Sequence, residues 1–510
     1  MHIVNEQFPA QNNISTTIKW LITFTVMLAT TMEILDMTIV NVALPTMMGE
    51  LGATTEQITW ILTSYIVSAA IVMPLTGFLV ARIGRKKLLL INIIGFMLAS
   101  ALCGAATSLT ELVIFRTCQG IFGASMIPLS QYILNSIFSK EESAKAMAIW
   151  GIGIMVAPIL GPTLGGYITN ALNWRWVFYI NIPISVLAFI LTAKVIPETK
   201  KVQKETDWLG LILLAVSIGA LQIFLDRGNI NDWFASKLIT LLLVIWVMAL
   251  LVFIIRGINK KDNIINLQLF KNKNFTIATI MMLLFAANMF ALITLIPLMA
   301  ERLFNYSTEL TGLFILPRAI AAGFSMALTT KLLKKYDGRK IIFLGIVLNI
   351  YGAYLMTKFN LNASFAAMMW PNIVSGFSNG FFFVPISTIA LSTLEKNTIA
   401  EGSGLFNFGR SIGSSIGISI IGTYFARRVN INWQLLAGHL QLTNPALKKW
   451  LYVQHATTTT NSAITKLNSE IINQSTMLAF TNAFWLTTTI VIMIIPLLFL
   501  LKTATVLDKK

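Results

Sequence analysis

The sequence predicts an all-α polytopic membrane protein with about fourteen spanning helices. Three observations carry that prediction. Hydrophobic residues make up 56% of the 510 positions and charged residues only 12%, where a soluble domain carries about 25% charge. The apolar residues fall in runs of roughly 20, the length that crosses a hydrocarbon core as helix. Basic residues collect between alternate runs, the bias expected of cytoplasmic loops.

The first run, about 18–40, follows a polar start (Asn5, Glu6, Gln7, Gln11, Asn12, Asn13). No short basic segment precedes it, so a retained span is expected rather than a cleaved signal peptide. Five more runs follow at about 57–80, 86–107, 110–134, 146–170 and 175–197. Two more lie at about 208–226 and 237–256. The last six lie at about 275–300, 309–330, 340–358, 363–392, 402–425 and 477–501. The reading divides the chain into a six-helix half (1–200), two inserted helices (201–262) and a second six-helix half (263–510). Residues 426–476 form the long outer loop of the second half. That loop is Asn/Thr-rich, and short amphipathic helices are expected at Trp433 to Leu440 and Ala446 to Val453. With the N-terminus cytoplasmic, 25 of the 38 Lys/Arg fall on the cytoplasmic face. The opposite face takes ten, five of them in the long loop, so both termini are placed in the cytoplasm. The net charge of +17 is thereby read as topology, with no nucleic-acid partner. Cys103 and Cys118 lie in apolar runs and are read as packing residues. His439 and His455 in the long loop are read as solvated rather than as metal ligands.

The stretch Glu33 to Pro45 stands out in the first span. Glu33 and Asp36 are three apart and share one helix face. An ionisable group at membrane depth costs roughly 2.5–3.5 kcal/mol on insertion scales. Such groups face a bundle interior or a watery cavity. The pair is either a proton- or cation-coupling site, or a fixed ion pair or helix cap. Arg116, just inside the fourth span, is the economical partner. Arginine stays protonated and lowers the pKa of a neighbouring carboxylate, while desolvation raises it. A vestibule that opens and closes would tip that balance.

The second span is followed by Gly77-Phe78-Leu79-Val80-Ala81-Arg82-Ile83-Gly84-Arg85-Lys86-Lys87. A weaker echo, Leu332 to Lys340, follows the tenth, at the corresponding point of the second half. Related halves are common in transporters. Gly77, Arg82, Gly84, Arg85 and Lys86 are read as a cytoplasmic gating loop. In the fifth span, which runs from Gly151 through Gly166 in a Gly-rich motif, Ala157, Gly161 and Gly165 form a four-spaced small-residue strip that permits close helix contact. Pro158 and Pro162 favour a kink. Arg318 and Arg410 lie inside spans without an in-span acid to name, and a structural role is expected. Asn41, Trp60, Tyr65, Asn288, Phe290, Trp370, Phe406 and Asn407 are candidate substrate-cavity residues, each of which also fits a packing role.

Together these motifs resemble the major facilitator superfamily, specifically its fourteen-span drug:proton antiporters of the EmrB/QacA type, over nearly the whole chain. Leu35-Asp36 through Pro45 resembles the family's first-helix motif. Gly77 to Lys87 resembles the superfamily loop motif, with Ala81 standing where Asp is usual. Arg116 to Gly120 resembles the fourth-helix motif, whose arginine the family links to proton transfer. Gly151 to Gly166 resembles the antiporter motif. Trp174 to Pro183 resembles a mark of the fourteen-span group. Leu225-Asp226-Arg227-Gly228 with Asp232-Trp233-Phe234, and Met477 to Phe480, resemble the Gram-negative EmrB branch. The resemblance implies an inner-membrane pump working with a periplasmic adaptor and an outer-membrane channel.

The function expected is proton-driven efflux of hydrophobic or amphipathic compounds by alternating access, with no cofactor. A dedicated exporter of fatty acids, bile salts or a siderophore is the alternative. A proton symporter or a membrane-embedded enzyme is more distant. No His-Glu-x-x-His zinc motif occurs and histidines number three. Glu33, Asp36 and Arg116 would be an unexplained cost in a scaffold or receptor.

Overall fold

A computed structural model describes residues 15–199, 207–259, 264–395, 397–440, 444–445, 447–449 and 461–502. The polar N-terminus and His455 lie outside these residues. Long helices cover each of the predicted spans: α1 (Thr16–Glu50), α2 (Glu56–Ile83), α3 (Arg85–Ala105), α4 (Leu109–Ile137), α5 (Lys140–Ala171), α6 (Trp176–Val195) and α7 (Trp208–Arg227). The series continues with α8 (Lys237–Asn259), α9 (Lys273–Phe304), α10 (Thr308–Leu332), α11 (Gly338–Met356), α12 (Phe365–Ser392), α13 (Ile399–Gly438) and α14 (Thr465–Leu500). Twelve of these are long and apolar enough to cross a membrane. The bent helix α5 brings the number to 13. The remaining helix, α13, is rich in Gly and Ser; the arrangement is compatible with fourteen spans. The chain is a multi-pass membrane protein.

Local sequence explains where helices start. Ser15, Ser139, Asn272, Ser307 and Ser364 each accept a hydrogen bond from a first-turn N–H, satisfying donors that would otherwise be orphaned. Thr54 and Gln57 form a reciprocal capping box at the head of α2. Between α2 and α3 the chain turns on Gly84 at φ 88°, where a side chain would be strained. Helix α5 bends by 44° between Pro158 and Leu160, where proline removes a backbone bond.

The same helix pairing occurs twice. In the first six helices α1 packs on α5 and α6, α4 on α2 and α3, and α3 on α6. In the last six α9 packs on α13 and α14, α12 on α10 and α11, and α11 on α14. A seam separates the two groups, lined by α5 against α10 and α12, and by α13 against α2 and α4.

Helices α7 and α8 pack on each other, and α7 lies against both α2 and α13. Thr63 of α2 donates to Asp226 of α7. Arg227 donates to the carbonyl of Glu56 at 3.1 Å and stacks over Trp60. On the other group, Ser419 donates to the carbonyl of Leu225 at 2.6 Å and the Trp233 indole to Thr423 at 3.2 Å. This inserted pair straps across the seam.

The outer loop read from the sequence is largely helix. Helix α13 runs on to Gly438 without a break, residues 445 and 447–449 are helical, and helix continues again from Asn461. Low hydropathy marks the exit from lipid, and the backbone continues to satisfy its hydrogen bonds as helix beyond it. Trp433 to Gly438 belongs to that extension, whereas most of Ala446 to Val453 lies outside the described residues.

Candidate functional site

Asp36 and Arg116 meet as the sequence suggested. Arg116 Nη1 donates to Asp36 Oδ2 at 2.5 Å, and both side chains are sealed from solvent. Three neutral residues complete the cluster. Gln119 Nε2 and Asn181 Nδ2 donate to Asp36 Oδ1 at 2.9 and 2.7 Å. Ser100 accepts from both amides and donates to the carbonyl of Phe178 at 2.9 Å. Arg116 also donates to Gln119 Oε1 and to the carbonyl of Ile61, and lies over the Tyr65 ring at 4.2 Å. The site therefore draws on α1, α2, α3, α4 and α6. Burying two charges is repaid only when the remaining lone pairs and protons are satisfied, and here both carboxylate oxygens are. Gln119, Asn181 and Ser100 were not singled out from the sequence. Buried amides in membrane helices are the signal that points to them.

Glu33 sits one turn along α1 and is equally buried, but its Oε2 has no partner. Its carboxyl lies within reach of the Ile127 backbone N–H. Helix α4 breaks at Ala124–Ser125 and restarts at Met126, so that N–H belongs to a first turn and lacks an intrahelical acceptor. Across the seam, the charge of Arg410 on α13 acts on Glu33 without closing an ion pair. Arg410 is buried and its Nε is unpartnered. Sequence reading left Arg410 without an acid; the structure supplies Glu33. Tyr65 is near enough to Glu33, Asp36 and Arg116 to sense all three charges, and its hydroxyl is unpartnered.

The small-residue strip of α5 faces α1. A Cβ at Gly161 would run into the Thr38 side chain, and one at Gly165 would lie 2.7 Å from the carbonyl of Ile39. Gly151 instead faces Met326 and Phe383 across the seam, while Gly166 lies half-buried one residue further along. Pro158 and Pro162 line a cavity shared with α9, α10 and α12.

The loop motif divides. A Cβ at Gly77 would meet the backbone of Glu401, so the two groups touch there. Arg85 is buried and braces its own group, donating to Ser136 at 2.9 Å and to the carbonyl of Pro197 at 3.0 Å. Arg82 is exposed, Lys86 half-buried. Other close approaches across the seam lie at the same end of the bundle. Asn407 donates to Gln131 at 2.6 Å, Ser403 donates to Gln131 and the carbonyl of Pro128, and Trp150 stacks on Phe383. That end, where α1 begins and α14 finishes, is closed.

Two cavities lie toward the opposite end. One is framed by Pro158, Pro162, Met289, Ile293, Thr311 and Arg318. The other is framed by Thr63, Gln222, Asp226, Ser415 and Ser419 beneath the strap. None of the eight residues read as cavity candidates lines either. Asn41 and Trp370 are exposed, and Trp60 lies under Arg227. Tyr65 belongs to the Asp36–Arg116 site. Asn288 is paired with Asn349 at 2.9 Å inside the second group. Phe406 is packed in the core and Phe290 against it, and Asn407 is bonded across the closed end. Aromatic residues pack throughout an apolar bundle, so composition alone does not tell wall from core.

Residues 26–418 match the Major Facilitator Superfamily. The chain is 35% identical over 486 residues to the multidrug export protein EmrB of Escherichia coli K12, covering 94% of this chain and 95% of the relative. It is also 35% identical over 484 residues to the fatty acid resistance protein FarB of Neisseria gonorrhoeae, covering 94% and 96%. Among solved structures, the proton:xylose symporter XylE superposes with a TM-score of 0.58 at 14% identity, covering 93% of this chain and 95% of that one.

Proposed function

The chain belongs to the major facilitator superfamily, among its EmrB-type export proteins, and from that premise we propose that it is a proton-driven exporter of hydrophobic or amphipathic compounds. The observation that carries the coupling is the Asp36–Arg116 cluster. Its carboxyl is sealed among Arg116, Gln119 and Asn181, each of which donates to it. Separation of α1 from α4, or water reaching the site, would open that carboxyl to proton exchange. Glu33 couples the cluster to the seam, because its electrostatic counterpart, Arg410, belongs to the opposite group. The halves 1–200 and 263–510 rock about the seam, with Gly77 and Glu401 at the cytoplasmic gate. The closed end is assigned to the cytoplasm and the cavities to the periplasmic side of an inner membrane.

No cofactor is required. One proton moving inward yields about 1.4 kcal/mol per pH unit and about 2.3 kcal/mol per 100 mV. Together these sustain a roughly 10²–10³-fold gradient of a neutral compound. A periplasmic adaptor and an outer-membrane channel would complete the route out of the cell. The relative FarB supports a dedicated fatty-acid substrate as the second reading. The test is everted vesicles carrying the protein. Drug accumulation should follow acidification of the lumen; accumulation only when drug and proton enter together would make the protein a symporter.

A further inference from the structure

The cavity beside the prolines of α5 contains a charge that no acid pairs with among the described residues. Arg318 of α10 is 3% exposed and its Nη2 has no hydrogen-bond partner. No ion pair to it occurs among the described residues. Its backbone is fixed against α12, since a Cβ at Gly376 would fall on the carbonyl of Arg318. The guanidinium lines a space of about 680 Å³, open solvent at the mouth included. Two further buried polar atoms without partners belong to residues lining the same space, Asn379 Oδ1 and Thr311 Oγ1. The rest of the wall is apolar, with Met289, Ile293 and Pro162 prominent. Glu301 is the one acid among the lining residues and is solvent-exposed.

An unpaired guanidinium buried in a bundle is costly. It belongs where water or a ligand completes it, and a carboxylate matches its fork with two parallel charge-assisted bonds. The Thr311 hydroxyl is an added donor for the same head group, and the Asn379 amide becomes one by a half-turn that brings its NH₂ to the place now held by Oδ1. The apolar wall would take the body of the molecule. Building on the exporter reading, we propose that this cavity is a binding site for amphipathic organic monoanions, with the carboxylate on Arg318, assisted by Asn379 and Thr311, and the apolar chain along α5 and α9.

The test is equilibrium binding to the purified full-length protein in nanodiscs at pH 8, with decanoate, methyl decanoate and decylammonium as probes. Decanoate should bind at least tenfold more tightly than its methyl ester. Arg318→Gln should erase that preference, and Arg318→Lys should keep part of it. Thermal midpoints should match the wild type. If Arg318→Gln does not fold, Asn379→Ala and Thr311→Val carry the test, each weakening decanoate several-fold without affecting the ester. Equal affinity for acid and ester in the wild type would overturn the proposal. So would an undiminished preference in Arg318→Gln or, in the fallback, in both Asn379→Ala and Thr311→Val. Tightest binding of decylammonium would overturn it in favour of Glu301. Binding is read without transport, so its failure leaves the vesicle assay of export untouched, and the converse also holds.

Discussion

Replacing Asp36 by Asn is the most direct probe of the coupling site. The wild-type carboxylate accepts from Arg116, Gln119 and Asn181 at 2.5, 2.9 and 2.7 Å. Asparagine offers one acceptor oxygen and turns an NH₂ toward groups that are themselves donors. Asn181, whose Oδ1 is unpartnered, can rotate its amide to accept from that NH₂. Arg116 cannot adapt in this way and is left charged in a sealed pocket. Breaking a buried pair on one side costs about 3–5 kcal/mol. Spread over a chain of this size, that lowers the melting midpoint by a few degrees and leaves membrane insertion intact. The double variant Asp36→Asn with Arg116→Gln should melt higher than the single one, because no unpaired charge remains. Transport is read in proteoliposomes as proton release on addition of substrate. Release should vanish in both variants. Wild-type release from Asp36→Asn would refute the assignment of the coupling proton to this carboxyl, whatever its melting point.

Three further outcomes follow from neighbouring contacts. Glu33→Gln leaves the Asp36–Arg116 pair in place but removes the ionisable carboxyl that lies toward Arg410 across the seam; proton release per substrate should fall, and an unchanged ratio would show that Glu33 carries no proton in the cycle. Gly161→Val would drive a side chain into Thr38, costing about 1–3 kcal/mol and most of the efflux rate, whereas Gly422→Ala, with open space around it, should match the wild type in both measurements. Thr63→Val removes the bond from α2 to Asp226 on the strap; spin labels on α2 and α7 should show a broader distance distribution, and an unaltered one would mean that this contact does not hold the strap.

The parts of the site legible in the sequence were those that the membrane makes rare. Few charges are tolerated in hydrocarbon, so Asp36 and Arg116 had to find each other, and they do. Gln119, Asn181 and Ser100 were hidden because neutral polar side chains also occur in spans as simple packing partners. The link between Glu33 and Arg410 depends on how two distant groups of helices meet, which periodicity within one helix does not encode. Hydropathy located the spans well but mistook the polar continuation of α13 for loop, since it measures compatibility with lipid and not helix formation. The lining of the cavity beside Pro158 was hidden for a related reason. Its walls are mostly Pro, Met, Ile and Ala, with Arg318, Asn379, Thr311 and Glu301 among them, and the apolar majority does not distinguish a wall from a core until the helices are in place.

The strap formed by α7 and α8 has a geometric consequence. A bundle of two rocking bodies has two lateral flanks facing the bilayer, one between α5 and α10 and one between α2 and α13. Bonds from α7 to both α2 and α13 roof over the second flank and leave the first bare. The two sides of this protein that face the lipid are therefore unequal, and the one the strap leaves uncovered is the one beside the bent, proline-bearing helix.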